Sequence, residues 1–236
     1  MTTCSGVDYL SLIRGAPERA ADAGTSRVRS GNLACGPESE ITSARLEGVT
    51  DYRRRWTFVT GDGLDLPGLP AGRRFATVVR STLEAFAAPR EVLFVDGVTC
   101  MEADGRVVTS GGRQQDAPRR PSDPAWPLDL LYGVTDGVEL VDTGKNGVTH
   151  LAFESDLRLA DRESPSGVDR RSRNAVTIPV HAWIDDAGLA VRIGYELELR
   201  FPDRHRFWCA SEFWDFGVDA LAVAKPFVSG EVARPG

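Results

Sequence analysis

The stretch that constrains this chain most is PVHAWIDDAGLAVRIGYELEL, residues 179–199. Apolar residues alternate with others on both sides of Asp185, Asp186, Ala187 and Gly188. Alternation of period two places every second side chain on one face of a sheet. Asp and Gly suit the break between the two runs, because Asp bonds its own backbone locally and Gly tolerates positive φ. The segment therefore predicts a hairpin, with Asp185 and Asp186 forming its turn rather than an acid pair that does chemistry. RFPDRHRF, residues 200–207, repeats the device, so the chain closes with three strands over 176–184, 189–201 and 205–216.

The same signals recur upstream. EVLFVDG, VTCMEADGRVVTS and GVTHLAFESDL read as strands, and Asp96-Gly97, Asp104-Gly105 and Asn146-Gly147 are hairpin dipeptides. ITSARLEGV and DYRRRWTFVT add two more strands; in the second, Tyr52, Arg54, Trp56 and Phe58 alternate with Arg53, Arg55, Thr57 and Val59. Helical spacing appears over 7–23, where Val7, Leu10, Ile13, Ala16 and Ala20 share a face; Pro17 should kink this helix or start a second one, and Gly24 should end it. A second amphipathic helix is expected over 73–88, with Phe75, Val78, Val79, Leu83 and Phe86 on one stripe and Pro89 as its end. WPLDLLYGV reads as a short helix. The segments 61–72, 111–125 and 158–175 read as flexible loops, the last as a mobile flap, and 226–236 as a tail. These elements make one α+β domain over 1–236, a long antiparallel sheet that curls and buries its apolar face on helices.

Composition narrows the function classes. A net charge of -6 argues against nonspecific nucleic-acid binding, which needs a basic face. No apolar run is long enough to span a membrane. The opening MTTCSGVDYL shows no signal peptide, so a cytoplasmic location is expected. Cys4, Cys35, Cys100 and Cys209 are scattered without a CxxC pair, and read as free thiols. The three histidines lack zinc spacing, with convergence of His150 and His181 across strands as the alternative, and no phosphate loop, GxSxG elbow or HExxH helix is present. Neither a cofactor nor a metal is expected.

Polar residues embedded in strands are the catalytic candidates. His150, Glu154 and Asp156 alternate along one strand and share a face; His181 interrupts an apolar strand; Glu212 lies among aromatic residues. A His or Glu tuned by burial acts as a general acid or base. Otherwise each of these residues belongs to a solvated face or a satisfied core hydrogen bond. Arg53, Arg54 and Arg55 read as strand residues pointing to water, with a ligand carboxylate as the alternative partner. Trp56, Phe58, Trp183, Tyr195, Phe207, Trp208, Phe213 and Trp214 supply either plain core or the lining of a ligand site.

Four segments in chain order resemble actinobacterial lipoproteins of the LppX/LprG type. They are LIRGAPERAADAGTSRVR, PLDLLYGVTDGVELVDTGKNGVTHLAFESDL, IPVHAWIDDAGLAVRIGYELEL and FWDFGVDALAVAKP. The resemblance implies a LolA-like half-barrel, a curled sheet wrapped over N-terminal and central helices with an apolar cavity between. It also implies binding of an acyl chain, a lipid or another hydrophobic molecule; known members carry lipids in the cell envelope. In this chain Met-Thr-Thr precedes Cys4, where the family has a leader and lipobox. Three readings follow. The first is a binder of a large hydrophobic molecule. The second is a cytoplasmic natural-product cyclase or isomerase that folds a polyketide-like substrate for ring closure without a cofactor. The third is an envelope lipoprotein without its leader. A hydrophobic small molecule is the expected partner in each, and strand edges leave room for a homodimer.

Overall fold

A computed structural model of the chain describes residues 8–35, 41–62, 90–95, 98–103, 106–110, 119, 123–144, 146–165, 167–168, 177–199 and 205–228. The first helix, α1 (Tyr9–Ala23), is capped by Asp8, whose carboxylate accepts from the Ser11 amide. It ends at Gly24, where φ is 85° and the amide bonds back to Ala20 and Ala21. Pro17 does not start a second helix: α1 runs through it and buries it beside Ile13, Ala16 and Ala20.

Among the described residues, eleven strands form one antiparallel sheet. They are β1 (Thr25–Cys35), β2 (Ile41–Asp51), β3 (Trp56–Asp62), β4 (Arg90–Val95), β5 (Val98–Ala103), β6 (Arg106–Ser110), β7 (Glu139–Thr143), β8 (Thr149–Asp156), β9 (Thr177–Ile184), β10 (Ala190–Leu199) and β11 (His205–Trp214). Their order is β6-β5-β4-β3-β2-β1-β11-β10-β9-β8-β7. The first and last strands meet in the middle, with Val28 opposite Phe213 and Ser30 opposite Ser211. Two meandering arms run outward from that seam, and the sheet stays open at β6 and β7.

The two faces have different cover. On the inner face lie α1, the short helix α2 (Pro127–Leu130) with its 3-10 continuation over Leu131–Gly133, and α3 (Leu157–Glu163). Val28, Leu46, Val59, Val92, Phe94, Ile193 and Phe213 project into this main core together with Trp126. The outer face carries α4 (Ala220–Val228), whose Ala220 and Ala224 pack on Val49, Trp56, Phe58, Leu93 and Cys100.

The closing hairpin follows the pattern of its sequence. Asp185 accepts from the Leu189 amide at 2.8 Å, and Gly188 turns at φ 77°. Three expectations are corrected. Arg53, Arg54 and Arg55 form the turn between β2 and β3 rather than strand residues, with Arg55 at φ 56°. Arg53 bonds the carbonyls of Ala21 and Asp22 at the end of α1, and Arg54 pairs with Asp51. The segment expected to be a flap opens instead with α3, because Asp156 accepts from the amides of Arg158 and Leu159 and caps it. The tail expected from 226 onward begins as the last turn of α4. The expected helix over 73–88, the hairpin tips at Asp96-Gly97 and Asp104-Gly105, and most of the loops 61–72 and 111–125 lie outside the described residues.

Candidate functional site

Strand alternation sorts the candidate residues by face. Tyr195 and Phe213 point inward and are buried in the main core. Trp56 and Phe58 point outward and are buried under α4. Trp183, Trp208 and Trp214 also point outward but are half-buried. These aromatic residues therefore do not line one cavity. The side chain of Phe207 lies outside the description.

The four acid–base candidates all project from the outer face. His150 on β8 and His181 on β9 meet there, with Nε2 of His150 3.0 Å from Nδ1 of His181. The pairing of β8 with β9 puts His150 directly opposite Trp183, and the two rings stack at 4.1 Å. Trp208 approaches His181 edge-on at 5.8 Å. Gly194 makes room for it: a Cβ at that position would press on the Trp208 ring. Partial burial first, and then the charge of His181, hold the His150 imidazole below its ordinary pKa, while Asp142 pulls the other way. Glu154, four residues further along β8 on the same face as His150, is exposed.

Glu212 belongs to a separate ladder on the same face. Arg29 pairs with Glu47 at 3.0 Å and with Glu212 at 3.6 Å, and Arg192 reaches Glu212 at 3.9 Å. Arg29 also lies over Trp214, and Arg192 over Trp183. Between these residues runs a shallow groove of about 670 Å³. Its cations and carboxylates answer one another within the protein.

The inner side holds a polar cluster that sequence reasoning missed. Arg119 lies 3.8 Å from Asp123 and 4.0 Å from Asp129, all three buried. Asp123 caps the Ala125 amide and accepts from Thr57. Asp129 accepts from Ser164 at 2.9 Å, tying α2 to the end of α3. Burial raises both carboxyls, against the pull of Arg119, and Asp129 reaches about 6. The Arg55 charge adds a smaller pull on both aspartates. One signal was visible: Asp129 interrupts the apolar run PLDLL.

Beside this cluster the inner face is apolar. Phe94 stands opposite Thr57, Val92 opposite Val59, and Leu46 follows on β2. Among the described residues, no helix is long and apolar enough to cross a membrane, and no group of three or more His, Cys, Asp or Glu forms a metal site.

An open antiparallel sheet with helices on its inner face, zipped at its first and last strands, has a solved counterpart. It is the lipoprotein LppX of Mycobacterium tuberculosis, which superposes with a TM-score of 0.53 at 11% identity, over 92% of this chain and 100% of that one. The chain has an LppX-like fold. LprF of Mycobacterium bovis matches with a TM-score of 0.45 at 13% identity, over 89% of this chain and 92% of that one. A LolA superfamily protein of Nitrosomonas europaea matches at 0.33 and 10% identity, over 89% and 93%. No family model matches the chain, and no curated protein matches its sequence.

Proposed function

We propose that the protein holds a large hydrophobic small molecule, such as an acyl chain, a lipid or a polyketide, against the inner face of its half-barrel. The observation that carries this reading is the LppX-like sheet, open along both edges, with an inner face that is apolar from Leu46 through Val59 to Val92 and Phe94. Burial of methylene groups drives such binding, at about 0.8 kcal/mol each before the cost of immobilising the ligand. A long chain therefore binds with few polar contacts.

A cyclase or isomerase working in the same place finds less support. His150, Glu154, His181 and Glu212 project from the opposite face of the sheet, so none reaches a substrate on the inner side. Native mass spectrometry before and after organic extraction tests the binder reading. The expected result is a hydrophobic mass that leaves on extraction and returns when acyl chains are added. An unchanged apo mass throughout would overturn the reading.

A further inference from the structure

Every residue of the edge strand β7, Glu139, Leu140, Val141, Asp142 and Thr143, is exposed. Two of the three exposed large apolar side chains among the described residues are its neighbours Leu140, at 42%, and Val141, at 48%. One side of β7 pairs with β8, with Leu140 opposite Leu151 and Asp142 opposite His150. The bulge between them leaves Val141 without a partner residue on β8. Among the described residues, the other side of β7 has no neighbouring strand, and the sheet ends there. An unpaired edge carrying exposed apolar residues is a template for another strand.

The order of residues in β7 selects the occupant. Two copies laid antiparallel about a two-fold axis at Val141 would place Val141 against Val141, Leu140 against Asp142 and Glu139 against Thr143. Each acid then faces an uncharged residue. Parallel pairing in register would set Glu139 against Glu139 and Asp142 against Asp142, which like-charge repulsion disfavours. We infer that β7 is a self-complementary docking edge at which a second copy of this chain adds antiparallel, joining two sheets across a two-fold axis through Val141. The strand is short, so the dimer belongs with weak, concentration-dependent associations rather than obligate ones. The inference uses none of the residues on which ligand binding rests.

Sedimentation equilibrium of the purified chain, up to roughly millimolar concentration where weak association becomes populated, reads this directly. The average mass should climb toward twice the chain mass. Two substitutions then separate a registered strand pair from a merely sticky patch. Val141→Lys places two lysines together on the axis and should hold the protein monomeric. Leu140→Lys removes as much exposed apolar surface but sets each lysine against Asp142 of the other copy, so it should dimerise at least as well as the parent. Unchanged thermal unfolding of both variants confirms that the monomer fold is intact. A parent that stays monomeric throughout, or equal loss of dimer in both variants, would overturn the inference.

Discussion

Arg119 and Arg29 each lie between two carboxylates, and the protein places them in opposite surroundings. Arg119 sits inside, with side-chain exposure of 8% beside Asp123 and Asp129 at 5% each. Arg29 sits on the outer face at 38%, with Glu47 at 43% and Glu212 at 42%. The outer pairs are closer, at 3.0 and 3.6 Å against 3.8 and 4.0 Å, yet distance is the lesser term. Water screens the outer ladder, and pairs of that kind contribute little. The inner cluster has already lost its water, so removing one member strands the others. The clusters therefore do different work. The inner one fastens β3, Arg119, α2 and the end of α3 to each other, while the outer one stays in contact with water.

Removal of the inner cation should break this contrast most sharply. Arg119→Met removes the cation that lies between two buried carboxylates, and urea denaturation should show a loss of about 3–5 kcal/mol. A loss below about 1 kcal/mol would place Arg119 with the surface pairs. The next effect is in pH. Asp129 titrates at about 6 in the folded chain against 3.8 ordinarily, so between those values the folded state binds the extra proton. Stability from this group is thus present below the lower value and is lost as pH rises toward the upper one, by on the order of 3 kcal/mol. Asp123 is shifted in the same direction. Asp129→Asn should flatten that part of the stability–pH curve, and an unchanged slope would argue that Asp129 keeps an ordinary pKa.

On the outer face Glu212→Gln should cost less than about 1 kcal/mol, and the difference should fade in high salt. A larger, salt-independent loss would mean that the ladder is not screened. The smallest effect concerns the histidine pair. Because the charge of His181 helps to depress His150, His181→Gln should move the His150 titration upward in an NMR pH series while leaving stability nearly unchanged.

The contrast also explains what could be read from the sequence. Strands β9, β10 and β11 were legible because alternation and turn residues are local signals. Parity puts Trp208 and Phe213 on opposite faces of β11, but the faces of Trp183 and Tyr195 relative to them depend on strand register, which shifts between Ala190 and Arg192. Which face is covered by helices was not legible either, since both faces of this sheet are partly covered. Arg53 to Arg55 imitate a strand by chance alternation. Their turn is held by partners far along the chain, the carbonyls of Ala21 and Asp22, which accept from Arg53. The capping signal of Asp156 was present in the sequence, but the polar residues after it masked the short face of Leu157 and Ala160 that α3 buries. Convergence of His150 and His181 across strands was one option the sequence left open, and the β8–β9 register is what realises it. Arg119 looked like one more charge in a polar loop.

Trp126 gives direct access to the inner face, since it is buried in the main core while Trp56, Trp183, Trp208 and Trp214 lie on the outer side. Fluorescence quenching by a brominated acyl chain, compared between Trp126→Phe and a variant that keeps Trp126 alone, tests the proposed ligand surface most directly. The account predicts saturable quenching where Trp126 is kept and none in Trp126→Phe. Quenching confined to Trp126→Phe, or absent from both variants, would contradict it.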